Sequence, residues 1–101
     1  MTTPPLALNQ EDYDTVRKIL LRWIPNSPVW AFGSRTNGKA WKFSDLDLVI
    51  VGSEPVASDI YDKLVEDFDD SDLPIRVDLL DWHQIDDNFK PYILEHHIVL
   101  T

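Results

Sequence analysis

Asp45 and Asp47 stand two residues apart at the head of "DLDLVIV", a run that is otherwise Leu, Val and Ile. Such a run reads as a buried strand, and residues two apart in a strand leave the same face. Two ionised carboxylates side by side repel each other unless a cation lies between them. Oxygen-only ligation of this kind suits Mg²⁺, which takes one or two protein carboxylates and completes its octahedron with water and substrate phosphate. A third acid, Asp78, sits in a second apolar run, "IRVDLLDW". If that strand pairs beside the first, the three carboxylates converge, and three acids can hold two Mg²⁺ ions for an in-line displacement at phosphorus.

The complementary chemistry lies upstream. Gly33 ends the apolar stretch "PVWAF", and Ser34 follows it. Glycine lets a backbone approach a phosphate closely. A short helical turn, expected over Ser34 to Ala40, offers free N–H groups, and Ser34 adds a hydroxyl. Arg35, Lys39 and Lys42 follow with no acid among them, in a chain of 18 acids and 9 bases with a net charge of -9. That basic island is the natural seat of a phosphate. Arg35 is read as a phosphate contact, and the two lysines are open between that role and solvated charge. A helix end contributes only about 0.3–1 kcal/mol, so the metal must dominate and the glycine-serine turn mainly orients.

The elements that must position these residues follow from periodicity. Asn9 is placed to cap a first helix, in which Tyr13, Val16, Ile19, Leu20, Trp23 and Ile24 recur at helical spacing until Pro25. "PVWAF" is a first strand and "DLDLVIV" a second, with Leu46, Leu48 and Ile50 on one face and Asp45, Asp47, Val49 and Val51 on the other. Pro55 suits the first turn of another helix with the stripe Val56, Ile60, Leu64, Val65 and Phe68. "IRVDLLDW" is a third strand that opposes Arg76, Asp78 and Leu80 to Val77, Leu79 and Asp81. A last amphipathic helix is expected to occupy much of Gln84 to Glu95, and "HIVL" reads as an edge strand. Strands alternating with helices predict an α/β or α+β sandwich, one sheet with helices packed on it.

Gly33-Ser34, ten intervening residues and then Asp45-x-Asp47 resembles the signature of the DNA polymerase β-like nucleotidyltransferase superfamily. The run "FGSRTNGKAWKFSDLDLVI" is similar to its minimal nucleotidyltransferase (MNT) branch, which places a third aspartate where "RVDLLDW" holds Asp78. The resemblance covers roughly residues 28 to 82. It implies the polymerase β-like fold, an α+β form with a small mixed sheet, with Asp45, Asp47 and Asp78 as metal ligands and catalytic residues, Asp78 helping to activate the attacking hydroxyl. Gly33, Ser34 and Arg35 would bind the nucleotide. ATP would be attacked at its α-phosphorus and release pyrophosphate. Larger members carry a further helical domain for the acceptor, whereas this chain ends about twenty residues after Asp78. MNT proteins are commonly paired with a HEPN-type helical protein, an RNase toxin in some pairs, on which the MNT antitoxin adenylylates a tyrosine. Two other readings stay open: a binding module that neutralises its partner by contact alone, and the nucleotide-binding half of an aminoglycoside-like small-molecule nucleotidyltransferase.

Composition bounds the rest. The 101 residues, 44% hydrophobic, suit one domain spanning 1–101. The negative charge disfavours direct binding to nucleic acid. Cysteine is absent, which excludes disulfides and thiolate metal sites. "MTTPPLALNQ" lacks the features of a signal peptide, and no apolar run approaches the roughly 20 residues that span a bilayer, so a cytoplasmic protein without membrane contact is expected. Asp81, three residues after Asp78, should face away and cap a helix. His83, His96 and His97 have no spacing for a shared metal and read as surface residues. Trp30, Trp41 and Trp82 read as core or partner-facing, and Trp41 could also stack on a base. The acidic run Asp59 to Asp72 reads as a solvated helix face.

Overall fold

A computed structural model describes residues 6–101. The expectation that the N-terminus carries no signal segment falls partly on residues 1–5, outside the described residues. Helix α1 spans Gln10–Trp23, strand β1 Val29–Phe32, β2 Leu46–Ile50, α2 Ser58–Asp70, β3 Val77–Asp81, α3 Lys90–Glu95 and β4 Ile98–Val99. One four-stranded sheet has the order β3-β2-β1-β4. β1 runs antiparallel to both β2 and β4, while β2 and β3 are parallel and joined through α2. The sheet is therefore mixed, as the resemblance to the polymerase β-like fold implies.

Alternation along β2 divides the protein into two packed layers. Leu46, Leu48 and Ile50 are fully buried and join Val16, Ile19 and Leu20 of α1 and Leu64 and Phe68 of α2 in the main core. Each such side chain contributes about 1.5–3 kcal/mol through burial. Val49 points the other way, into a smaller cluster with Phe32 and Ile93, flanked by Trp30, Val51, Leu80 and Trp82. Asp47 and Asp78 share this second face by strand parity.

Local signals act where they were expected. The Asn9 Oδ1 accepts from the Asp12 N–H at 2.8 Å and caps α1. α1 and α2 are clipped together through Asp67, whose Oδ2 accepts from Arg22 Nη1 at 2.8 Å and Trp23 Nε1 at 2.9 Å. One residue of the acidic run is thus more than solvated charge.

Four expectations need correction. The helical turn after Gly33 covers only Ser34–Thr36, a 3-10 turn; Gly38, at φ 79°, then turns the chain left-handed and ends it. α2 begins at Ser58, so Pro55 precedes its first turn: the Val56 N–H is drawn to Asp81 Oδ2 at 2.8 Å, and Ala57 is extended. In the stripe of α2, Val65 is exposed and Tyr61 packs on the core instead. The last helix occupies only Lys90–Glu95. Pro91 lies in its first turn, where its missing N–H costs nothing, and its ring would collide with a carbonyl four residues back were the helix to run through from Gln84. Trp82–Gln84 form a separate 3-10 turn. β4 is the edge strand expected from "HIVL".

Candidate active site

The carboxylates meet through strand register. Asp47 is the direct partner of Asp78 across the parallel β2–β3 pair, and of Phe32 across β1–β2. Adjacent strands lie roughly 4.8 Å apart, so Asp47 and Asp78 are neighbours on one face. Asp45, the residue before β2, is exposed, whereas Asp47 and Asp78 are half-buried. Among the described residues none of the three forms an ion pair with a basic side chain. The electrostatic result is visible at Asp47: burial, then the Asp78 carboxylate, then that of Asp45 push its carboxyl above the ordinary carboxylate range. Both other carboxylates are therefore near enough to Asp47 to act on its charge.

Gly33 closes the other side. It has φ 82° and ψ -158°, a conformation open in practice only to glycine. A Cβ placed on it would collide with Oδ2 of Asp47. The glycine thus serves the turn twice, in backbone conformation and in room for the carboxylate. Thr36 fastens the turn by donating its hydroxyl to the Gly33 carbonyl at 2.7 Å, and its N–H reaches the same oxygen at 3.0 Å. Ser34, half-buried, starts the 3-10 turn directly after the glycine.

The structure places Arg35 elsewhere. Its guanidinium is buried and directed to main-chain carbonyls of Ala7, Trp41, Lys42 and Ser44. The expected phosphate contact gives way to a cation already surrounded by carbonyl oxygens. Lys39 and Lys42 are exposed, and Trp41 and Phe43 protrude beside them, edge to face at 5.4 Å. Asp81 faces away from Asp78 as expected: its Oδ1 accepts from the His83 N–H at 3.0 Å and caps the 3-10 turn. His83 Nε2 lies 2.7 Å from the Gly52 carbonyl and His97 Nδ1 2.8 Å from that of Ile93, so these histidines join backbone segments. Trp30 is half-buried between Trp82 and a stacked His97.

Tyr61 and Ser44 were not singled out by the sequence reading. Tyr61 donates its hydroxyl to the Leu79 carbonyl at 2.6 Å and borders, with Phe68, Arg76 and Asp78, a cavity of about 340 Å³. Burial, then Asp78, then Asp62 and Asp81 raise its phenol above the usual range. Its spacing from Leu64 and Phe68, three and seven residues on, was the available signal. A second cavity, about 270 Å³ between Val56, Tyr61, Asp81 and Ile85, touches none of the three aspartates.

Among the described residues, no three acidic or histidine side chains already stand close enough to enclose a metal ion on their own. Mg²⁺ does not require that, because substrate oxygens and water supply most of its shell. Oxygen donors without basic partners, one of them pushed toward its protonated form by burial and then by its acidic neighbours, match a hard cation delivered with a phosphate substrate.

A mixed sheet carrying paired acids on adjacent strands, faced by a glycine-serine turn, defines a nucleotidyltransferase. The family described as "Polymerase beta, Nucleotidyltransferase" matches residues 26–101, and the chain belongs to it. It is 45% identical over 95 residues, 94% of this chain and 83% of the relative, to the "Probable protein adenylyltransferase MntA" of Haemophilus influenzae. A crystal structure of a toxin-antitoxin with AMP-PNP superposes with a TM-score of 0.74 at 21% identity, covering 89% of this chain and 73% of the other. A complex of tri-AMPylated Shewanella oneidensis HEPN toxin with MNT antitoxin aligns at TM-score 0.62 and 18% identity, covering 93% and 72%. At such identities these two likenesses are of fold.

Proposed function

We propose that the chain is an antitoxin that transfers AMP from ATP to a tyrosine hydroxyl of a HEPN-type partner. The observation that carries this reading is the register pair Asp47–Asp78 with Gly33 against it, in a chain close in sequence to a protein adenylyltransferase. A HEPN-type toxin as the acceptor of AMP is supported by the AMPylated toxin in the related complex, and the tyrosine hydroxyl is what the family resemblance implies.

Asp45, Asp47 and Asp78 are the residues that would hold Mg²⁺, in this reading two ions. When bound, the metal supplies positive charge against the phosphates and the developing charge of transfer. Gly33 lets the backbone approach the triphosphate, and the Ser34 hydroxyl and the free N–H groups of its turn orient it. Asp78 is the group that accepts the proton of the attacking tyrosine hydroxyl, and pyrophosphate leaves from the opposite side of the α-phosphorus. No helix among the described residues is long and apolar enough to cross a membrane. The cytoplasm, which holds ATP and Mg²⁺, is the compartment this chemistry requires.

The test is co-expression with the protein encoded beside it, followed by intact mass measurement of that partner. Wild type should add one or more increments of about 329 Da, the mass of AMP joined with loss of pyrophosphate. Asp45→Ala should add none. A partner that stays unmodified yet tightly bound to wild type would replace transfer with neutralisation by contact.

A further inference from the structure

Arg35 follows Ser34 directly, and in an acidic protein its charge is the obvious lure for a phosphate. The side chain is nevertheless only 8% exposed. Its Nε and Nη2 both donate to the Ser44 carbonyl, at 3.0 and 2.8 Å. Nη1 donates to the Ala7 carbonyl at 2.6 Å, and Nη2 reaches those of Lys42 at 3.4 Å and Trp41 at 3.5 Å. The Ala7 N–H donates back to the Arg35 carbonyl at 2.8 Å, so these two residues are joined in both directions.

The gripped segment is also closed on itself. The Ser44 N–H donates to the Trp41 carbonyl at 3.0 Å, and the Trp41 N–H to the Ser44 Oγ at 3.0 Å. Ser44 immediately precedes Asp45. The chain between Ser34 and Asp45 contains no other regular element than the 3-10 turn, and its residues 37–39 and 41–43 are exposed. A loop of that kind has many conformations available unless something restrains it. A buried cation is costly unless its donors are satisfied, and here they are satisfied by the backbone just ahead of the first aspartate.

We propose that Arg35 is a positioning residue for the transfer reaction: it clamps the loop between Ser34 and Asp45, and so fixes the phosphate-facing turn relative to the carboxylates. This inference rests on the nucleotidyl-transfer reading of the site. Arginine is the required type because its planar fork presents donors in several fixed directions, whereas lysine carries its three on one nitrogen. The clamp touches neither substrate nor metal, so its effect falls on alignment more than on nucleotide binding.

The experiment compares wild type, Arg35→Lys and Arg35→Ala in complex with the co-expressed partner, with Mg²⁺ and ATP. Arg35→Lys should lower kcat by about 10–100-fold, as small misplacements of reacting groups do, while KM for ATP moves by less than about threefold. Ethylguanidinium should restore part of kcat to Arg35→Ala by filling the vacated site. Hydrogen exchange at the Trp41 and Ser44 amides should accelerate in both variants, with the far-ultraviolet circular dichroism of the folded chain retained. A raised KM with unchanged kcat would make Arg35 a phosphate contact. An unchanged kcat, or loss of the whole fold, would equally overturn the proposal. If wild type transfers nothing, the functional reading fails by itself, and amide exchange as slow in Arg35→Lys as in wild type would still refute the clamp.

Discussion

Asp47 and Leu48 are adjacent in one strand and lie on opposite faces of one sheet. Leu48 is fully buried beneath α1 and α2, and Asp47 is half-buried where burial and then its acidic neighbours push its carboxyl toward protonation. The first face is apolar along the whole strand, whereas the second is apolar at Val49 but at Asp47 holds like charges that the apoprotein would be more stable without. A strand buried on one face can carry unfavourable chemistry on the other, because side chains alternate while the backbone ladder is shared. The stability that the helix-covered face supplies leaves room for the charged one.

The sharpest way to break this division is to damage the stable face. Leu48→Ala should destabilise by about 2–5 kcal/mol, the range for deleting a buried Leu side chain, as read by denaturant unfolding. Nucleotide transfer at low temperature, measured on the fraction still folded, should stay near wild type. A larger loss of transfer than of folded protein would show that the faces are coupled.

Damage to the charged face should have the reverse signature. Ser34→Ala should reduce transfer by about 1.5–3 kcal/mol, the contribution of one hydrogen bond to a charged group, with unfolding little changed. Gly33→Ala tests the boundary between the two. Its backbone conformation costs about 1–3 kcal/mol for a non-glycine residue, and the new Cβ meets Asp47 Oδ2. Both stability and transfer should therefore fall, and an active, fully stable Gly33→Ala would mean that the turn and the carboxylate are not in contact.

The smallest effect, opposite in sign, belongs to Asp47→Asn in the apoprotein. Burial and the neighbouring carboxylates raise the folded-state pKa of Asp47 above its unfolded value. The native state therefore binds more protons between the two values, and stability falls as pH rises through them. This contribution is present below the ordinary carboxylate range and lost above the raised pKa. Asparagine cannot ionise, so Asp47→Asn should melt slightly higher than wild type at pH 7 without metal. Solvent screening at a half-open site keeps the gain small. The gap should narrow as pH falls and close only below the ordinary Asp value of 3.8, and a gap independent of pH would assign it to packing.

Much of this could be read along the chain. Period-two alternation assigned Leu46, Leu48 and Ile50 to one face and Asp47 and Val49 to the other. The Asn9 cap, the cap that Asp81 places on the following 3-10 turn and the break at Gly33 are likewise products of neighbours a few residues apart. Pro91 also announced the short last helix, and only the hydrophobic spacing upstream of it obscured the signal.

The remainder depends on partners remote in sequence. Arg35 bonds to Ala7, 28 residues away, and Asp81 draws in the Val56 N–H from 25 residues away, which delays the start of α2. The Asp47–Asp78 pairing required the parallel register of β2 and β3, and Tyr61 came near Asp78 only once α2 had packed across the sheet. Side-chain type and period report which way a residue points relative to its neighbours, because those follow from local backbone geometry. They carry no information about which distant carbonyl or carboxylate folding will set opposite it. For a charged side chain such as Arg35 that counterpart decides between holding a substrate and holding the protein.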